Sequence, residues 1–304
     1  ADLVAAIDAA VADGVDVINY SIGGEAGDPW RSADAQAFLA ARDAGVFVAT
    51  SAGNSGPAAD TIGSPGNAPW ITTVAASTSN RQFISDITLA GPGDPPQDLF
   101  GASLTKGVNN FNLVDAEGIA DVTGDDSGRC INPYPTGTFQ ANDVVLCERG
   151  VVARVVRGDN VKAGGGGAVI LYNAVAEQGL STDNYVIPAV HVRNATGLAI
   201  KNYLAAHPGE VTVRFTTGQK IFEGDDVRVK SDVMADFSSR GPNGTVPDVI
   251  KPDITAPGVQ TLAGNTPECF STENACGAPG ELFQAIQGTS MSSPHVAGAA
   301  ALVV

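Results

Sequence analysis

The residues best suited to chemistry in this sequence surround a serine near the end of the chain. They form the run Gly288-Thr289-Ser290-Met291-Ser292-Ser293-Pro294-His295-Val296-Ala297-Gly298. The residues from Ala297 to Val304 are almost all Ala, Gly, Val and Leu, which predicts a helix buried on all sides. Pro294 fits such a helix only near its start, where a missing N–H breaks no hydrogen bond. Ser290 is therefore predicted in the first turn, where unpaired N–H groups and the helix dipole favour an anionic oxygen.

The elements that would position this serine follow an α/β pattern. Helical spacing over 2–13 and 32–44 is ended by Gly14 and Gly45. Apolar runs that predict strands follow, over 15–20, 46–50 and 71–75. Strands that alternate with helices indicate parallel βαβ units. The predicted fold class is therefore α/β.

Two glycine-rich segments follow the first two predicted strands. They are Ser21-Ile22-Gly23-Gly24 and Ser51-Ala52-Gly53-Asn54-Ser55-Gly56. In open parallel sheets, ligands bind beyond the carboxyl ends of the strands, which is where both segments are expected. Taken alone, each segment is typical of a simple turn, because Gly and Asn tolerate positive φ.

The alternation of helices and strands stops at about residue 86, and a region of different character follows. Its predicted strands are 143–147, 168–172 and 187–192, and its predicted helices are 158–163 and 194–205. We expect this region, residues 101–220, to be a separate module inserted into a first domain made of residues 1–100 and 221–304. The four glycines from Gly164 to Gly167 are expected to allow close packing of a helix on a strand, because no phosphate-loop Gly-Lys-Ser/Thr follows them.

Composition and charge restrict the class of partner. The chain has 33 acidic and 17 basic residues and a net charge of −16, which disfavours nucleic acid and anionic membranes. We expect neither as a partner, and no apolar run reaches the roughly 18 residues of a spanning helix. His, Cys and carboxylate residues are not spaced as a zinc site requires. We expect no cofactor, and calcium cannot be assigned because no loop of alternating oxygen ligands occurs.

The serine run resembles the nucleophile motif of the subtilisin-like serine proteases, the subtilases. The two glycine-rich segments resemble segments of that family in the same order, as do Phe237-Ser238-Ser239-Arg240-Gly241-Pro242 and Lys251-Pro252-Asp253-Ile254-Thr255-Ala256-Pro257-Gly258. The resemblance implies a three-layer αβα subtilisin-like fold with a parallel sheet, incomplete here. The insert resembles the mainly-β protease-associated (PA) domain. The implied activity is a serine endopeptidase with Ser290 as nucleophile, and with the Asn54 amide and the Ser290 N–H as oxyanion donors.

The resemblance also implies a substrate cleft. The two segments expected to line it are Ser21, Ile22 and Gly23, and Ser51, Ala52 and Gly53. The first would pair with the peptide backbone as an added strand, and the second would line the primary specificity pocket, with Gly63 at its floor. Since a glycine there would leave room for a large side chain, we expect broad specificity that favours bulky or aromatic residues.

A serine protease also needs a histidine base and an acid. In subtilases both motifs precede the first helix found here, and neither occurs in a suitable position in the 304 residues. Asp126-Ser127-Gly128 lies in the insert and is expected to form a turn. His295 resembles a structural histidine of the family. The resemblance therefore implies a fragment, cut at both ends, with little activity of its own.

Two other functional classes are alternatives to the protease. The first is a non-catalytic pseudoprotease or peptide-binding module, which the sequence upstream of Ala1 would distinguish. The second is an α/β-hydrolase esterase, which needs a Gly-x-Ser-x-Gly turn with the acid and histidine downstream. Residues 288–292 lack the second glycine, so we exclude the esterase.

The four cysteines form two local couples, Cys130 with Cys147 and Cys269 with Cys276. Three pairings are open on paper; local disulfides are the simplest, and four buried thiols are the alternative. The family resemblance favours secretion, in which disulfides persist. The expected partners are protein or peptide substrates, with a homodimer through the insert as a further expectation.

Overall fold

The computed structural model describes residues 2–150, 152–176, 178–265 and 282–303. Cys269 and Cys276 lie outside the described residues. The chain divides into two compact units. Unit 1 comprises Ala1–Arg81, Val227–Thr261 and Gln287–Val304, and unit 2 comprises Gln82–Asp226 and Leu262–Ile286.

Five helices and fourteen strands are found within the described residues. The helices are α1 (Asp2–Ala12), α2 (Ala33–Asp43), α3 (Val156–Ala163), α4 (Asn194–Ala206) and α5 (Thr289–Ala301). The strands are β1 (Val17–Tyr20), β2 (Phe47–Ser51), β3 (Thr72–Ser77), β4 (Arg81–Ala90), β5 (Leu99–Ala102), β6 (Val108–Asp115), β7 (Asp143–Glu148), β8 (Ala168–Tyr172), β9 (Ala189–Val192), β10 (Thr212–Phe215), β11 (Gln219–Phe222), β12 (Ile254–Pro257), β13 (Thr261–Gly264) and β14 (Phe283–Ile286).

Unit 1 is built on a four-stranded parallel sheet in the order β1-β2-β3-β12. Successive side chains of a strand point to opposite faces. Val48 of β2 accordingly packs with Phe38 of α2 and Ile7 of α1, whereas Ala49 packs with Ala297 of α5. Helices therefore cover both faces of the sheet, and the predicted α/β class with a parallel sheet is confirmed.

The prediction that the serine helix is buried on all sides is wrong. The buried residues of α5 are Thr289, Ser292, Ser293 and Ala297, which lie towards its start. Leu302 and Val303, just after the helix, are 88% and 87% exposed. Helix α5 contacts β1, β2, β3 and β12, so the sheet covers one face of the helix. An apolar composition alone does not show which faces of a helix are covered.

Unit 2 contains an eight-stranded mixed sheet in the order β10-β6-β7-β8-β9-β5-β4-β11. Strand β10 also pairs with β4, so seven of the strands close into a ring, as in a barrel. Alternate residues of β7 belong to two different apolar clusters, one on each face of the strand. Val144 and Leu146 pack in the cluster that includes α4 residues, and Val145 and Cys147 pack in the cluster that includes Val161 of α3.

The boundaries of the units differ from those predicted. Unit 2 begins at Gln82 and not at residue 101, because β4 and β5 pair with each other and β4 pairs with β10. It also includes 262–286, where β13 and β14 form a two-stranded sheet. The predicted strands over 143–147 and 168–172 are found as β7 and β8.

Two further features of unit 2 agree with local predictions. A Cβ at Gly166 would lie 2.5 Å from Val161 Cγ1 of α3 and 3.4 Å from Val145 Cγ2 of β7, so glycine in this run does permit close packing of the helix on the strand. Cys130 and Cys147 form a disulfide within the apolar cluster that contains Tyr134. In the part of the chain that the structure describes, no helix has the length and apolarity needed to cross a bilayer.

Candidate active site

A cavity of about 640 Å³ in unit 1 lies next to the serine. Its lining includes every residue that the sequence assigned to the site: Ser21, Ile22, Gly23, Ser51, Ala52, Gly53, Asn54, Gly63 and Ser290. The first glycine-rich segment directly follows β1, and the second begins with Ser51, the last residue of β2. The parallel sheet thus brings segments that are distant in sequence to the same carboxyl edge, as its topology predicts.

Ser290 is the second residue of α5 and is tied to the segment after β1. Its Oγ donates a hydrogen bond to the carbonyl oxygen of Ser21 at 3.3 Å, and the Ser21 hydroxyl donates to the Ser290 carbonyl oxygen at 2.9 Å. The N-terminus of α5 provides oriented N–H groups and a positive partial charge beside this hydroxyl. These contacts hold Ser290 at the cavity wall.

Asn54 is held in one orientation by Thr289. Its Oδ1 accepts hydrogen bonds from the Thr289 N–H at 2.9 Å and from the Thr289 hydroxyl at 3.0 Å. Because both bonds end on the oxygen, they identify which end of the amide faces α5 and leave the Nδ2 hydrogens available as donors. Asn54 and Ser290 both line the cavity, and Thr289 fixes them relative to each other.

Two supporting residues were not predicted from the sequence. Thr289 Oγ1 accepts a hydrogen bond from the Gly53 N–H at 3.2 Å, in addition to its bond to Asn54. Ser239 Oγ accepts one from the Ser55 N–H at 3.1 Å, and the Ser239 N–H donates to the Gly53 carbonyl oxygen at 2.9 Å. Both residues occur in the motif runs noted above. Their supporting contacts could not be predicted, because the partners are far away along the chain.

Gly53 is required by the geometry of this loop. Its φ is +104°, a region that side chains rarely adopt, and a Cβ there would lie 2.7 Å from Ser239 Oγ. The tight approach of Ser239 therefore depends on glycine at this position.

The structural role expected for Gly63 needs correction. Gly63 does line the cavity, but a Cβ on it would collide with the carbonyl oxygen of Gly24. Gly24 and Ser64 form an antiparallel bridge at this point. The missing side chain thus allows two segments to approach closely, and the expected extra room for a large substrate side chain does not follow from it.

An ion pair between the buried Lys251 and the partly exposed Asp253 supports the outer strand of the sheet. The Lys251 ammonium donates to the Ile71 carbonyl oxygen and to Asp253 Oδ2, both at 2.6 Å, and Asp253 Oδ2 also accepts the Thr73 N–H at 2.7 Å. Burial lowers the pKa of Lys251, and its hydrogen bond and ion pair with Asp253 act in the opposite direction. The pair fastens the chain before β12 to the start of β3.

In the described part of the chain, no hydrogen bond joins His295 to the Ser290 hydroxyl. Its Nδ1 lies 2.7 Å from the Met291 carbonyl oxygen, so this nitrogen donates along the helix. Glu25 and Asp60 are the charged residues that line the cavity. Among the described residues, no group of three His, Cys, Asp or Glu side chains is placed to hold a metal ion.

The fold and the cavity define an α/β protein whose cleft is organised around a serine at a helix N-terminus. The profile of the Subtilase family matches residues 1–304, and the chain belongs to this family.

Named relatives agree with this assignment. The chain is 38% identical over 308 residues to the subtilisin-like protease SBT1.7 of Arabidopsis thaliana, covering 99% of this chain and 39% of the relative. It is 39% identical over 308 residues to SBT1.6 of the same plant, with the same coverage. The chain thus spans 39% of the length of these relatives. Among solved structures, the psychrophilic subtilisin-like protease Apa1 from Pseudoalteromonas sp. AS-11 aligns with 17% identity and a TM-score of 0.32, covering 99% of this chain and 63% of that one.

Proposed function

We propose that the full-length protein is a serine endopeptidase in which Ser290 is the nucleophile and Asn54 completes the oxyanion hole. The observation that carries this proposal is the pair of hydrogen bonds from Thr289 to Asn54 Oδ1. These bonds engage the amide oxygen with the start of α5 and leave Nδ2 free to donate. Asn54 and Ser290 line the same cavity. An amide held in this way is a preorganised oxyanion donor.

In the proposed reaction the Ser290 Oγ attacks the carbonyl carbon of the scissile peptide and its proton passes to a base. Negative charge develops on the carbonyl oxygen, where Asn54 Nδ2 and the Ser290 N–H donate hydrogen bonds. The base then gives the proton to the leaving amine, and water hydrolyses the acyl-enzyme. The Ser290 hydroxyl now donates to a main-chain carbonyl, so it must turn towards the base before it reacts.

The base and its acid partner are proposed to come from residues outside this sequence. His295, the histidine nearest to Ser290 in sequence, has its Nδ1 engaged by Met291. Residues 1–304 alone are therefore expected to bind substrate but to cleave it poorly.

The substrate is proposed to be an extended peptide. Ser21, Ile22 and Gly23 would add its backbone as a strand, and Ile22, which is 50% exposed, would contact its side chains. Ser51, Ala52 and Gly53 would line the primary pocket. Broad specificity remains the proposal, supported by the small residues of that segment and no longer by Gly63.

Labelling by a fluorophosphonate probe tests the nucleophile. The full-length product should be labelled, the Ser290→Ala variant should not, and Ser293→Ala, which changes a buried serine on the same helix, should be labelled like the parent. Equal labelling of the parent and Ser290→Ala would refute the assignment.

A non-catalytic peptide-binding module is the second candidate, and one observation favours it. The Ser290 hydroxyl donates to the Ser21 carbonyl oxygen, a contact that ties it to the segment proposed to bind peptide. A labelled peptide panel separates the two: the binding module predicts saturable binding without cleavage by the full-length product, whereas the protease predicts both.

Unit 2 is proposed to be a PA domain, and the protein to be secreted. The closed sheet of unit 2 and the Cys130–Cys147 disulfide support these proposals, since disulfides persist in oxidising compartments. A homodimer through unit 2 is likewise proposed. Fractionation of producing cells and sedimentation of the secreted protein test the location and the oligomeric state.

A further inference from the structure

A group of four arginines in unit 2 has no role in the proposed reaction. This arginine cluster consists of Arg129, Arg149, Arg154 and Arg157. Within the described residues, Arg129 pairs with Glu148 at 3.3 Å, and Arg154 donates two hydrogen bonds to Asp183, at 2.7 and 2.8 Å. Arg149 instead donates to the Asn173 side-chain oxygen at 3.2 Å. Four guanidinium groups thus face two paired carboxylates, which leaves a local excess of positive charge.

Arg157 is the most deeply placed member of the cluster. Its side chain is fully buried. Its Nε donates to the Glu148 carbonyl oxygen at 3.2 Å, and Nη1 donates to the carbonyl oxygens of Val152 and Ala153 at 3.1 and 3.2 Å. Nη2 is buried without a hydrogen-bond partner in the described part of the chain. Buried charged donors are normally satisfied, so this nitrogen lacks an acceptor.

The charge on Arg157 persists in spite of its burial. Burial, with a smaller contribution from the neighbouring arginines, lowers its pKa to about 10, while Tyr185 acts in the opposite direction. The group is therefore still a cation at neutral pH. The Tyr185 hydroxyl is a second buried group without a hydrogen-bond partner among the described residues. Arg157 and Tyr185 each affect the pKa of the other, so the two unsatisfied groups share one neighbourhood.

Gly150 lies beside Arg157 Nη2, and the Arg129 side chain fills the space next to it. A Cβ on Gly150 would lie 3.5 Å from Arg157 Nη2 and 3.0 Å from Arg129 Cδ. The Arg129 side chain, which covers this place, is 48% exposed. Exposed ion pairs such as the one between Arg129 and Glu148 hold their partners weakly. Arg129 can therefore move outwards and admit a small molecule to Nη2.

We propose that the arginine cluster binds a small oxyanion beside Gly150, with Arg157 Nη2 and the Arg129 guanidinium as its donors. Guanidinium groups match the geometry of carboxylate and phosphate oxygens, and the ligand would supply the missing acceptor and offset the excess charge. The two sources of such an oxyanion are free phosphate and the carboxylate of an organic acid. The site is separate from the serine cavity and does not depend on the proposed protease activity.

Thermal unfolding of the 304-residue protein tests the site. Sodium phosphate or sodium acetate is added from 0 to 20 mM, and sodium chloride keeps the ionic strength constant. A ligand at ten times its Kd should raise Tm by about 2 °C in a protein of this size, and the rise should saturate. A rise with both salts identifies a general oxyanion site, and a rise with only one identifies its source; either result supports the proposal.

Three variants make the test specific. Gly150→Ala fills the proposed position of the anion, and Arg129→Gln removes one donor; both should abolish the saturable rise. Arg31→Gln removes an arginine of unit 1 whose side chain is 88% exposed, and it should retain the full rise. If Gly150→Ala does not fold, Arg129→Gln decides. The proposal is overturned if neither salt raises Tm, or if Arg129→Gln responds like the parent.

Discussion

Replacing Thr289 by valine tests whether the orientation of Asn54 matters for catalysis. Valine has nearly the same shape but lacks the hydroxyl. The change removes the 3.0 Å bond to Asn54 Oδ1 and the acceptor for the Gly53 N–H, and it keeps the main-chain bond from residue 289 to Asn54. Each lost hydrogen bond contributes about 0.5–1.5 kcal/mol.

The expected size of the effect on activity follows from the hydrogen bonds that the substitution removes. Loss of the side-chain bond allows the Asn54 amide to reorient, while the remaining 2.9 Å bond keeps part of the order. We expect kcat/KM of the full-length product to fall by about 5–30-fold, which corresponds to roughly 1–2 kcal/mol. Removing the amide itself should cost more, since loss of one oxyanion-hole donor reduces kcat by roughly 10²–10³.

The assay is steady-state hydrolysis of a peptide substrate by the parent and by Thr289→Val, Thr289→Ser and Asn54→Ala variants. Serine retains the hydroxyl, so Thr289→Ser should recover most of the activity. Since an oxyanion donor acts in the transition state, the loss should appear mainly in kcat. Our reasoning is refuted if Thr289→Val matches the parent, or if Thr289→Ser is as impaired as Thr289→Val.

Three further predictions concern stability. Burial lowers the pKa of His191 to about 3, below the unfolded value of about 6.5, so the unfolded chain binds the proton first. In urea titrations, the free energy of unfolding should be constant above about pH 6.5 and should fall by about 2 kcal/mol by pH 5. The His191→Gln variant should lose this pH dependence. Gly197→Ala should destabilise unit 2 by about 1–3 kcal/mol, because the added Cβ would collide with Tyr172. The control is Gly298→Ala, which should be tolerated because the space around this helical glycine is open. Lys251→Met should cost about 2 kcal/mol in the same assay, because it leaves the Ile71 carbonyl oxygen without its observed donor and removes one of the two donors to Asp253 Oδ2.

The parallel sheet of unit 1 could be predicted because its strands carry their own signals. Residues 46–50 form an apolar run between Gly45 and a glycine-rich segment, and β2 was found at Phe47–Ser51. The boundary of unit 2 could not be predicted in the same way. Strand β4 belongs to that unit because Ile87 and Leu89 lie opposite Phe215 and Val213, and no local feature of 81–90 reveals a partner more than a hundred residues away.

The candidate site shows the same division between local and distant information. The roles proposed for Ser290 and Asn54 come from short runs whose residue types are visible in the sequence, whereas the contacts that orient them join distant segments. Thr289 reaches Asn54 across 235 residues, and Ser239 reaches Ser55 across 184. Only the folded sheet brings such pairs together.

The distant contacts also bear on how the site would work. Asn54 lies between two residues that are each held from elsewhere in unit 1: Gly53 by Thr289 and Ser239, and Ser55 by Ser239. An oxyanion donor is effective when it need not reorganise as charge develops, and these bonds restrict the loop on both sides of the amide. The effect of replacing a supporting residue should therefore decrease as its distance from the amide increases. Thr289→Val, which breaks a bond to Asn54 itself, should reduce kcat more than Ser239→Ala, which loosens only the backbone of Ser55.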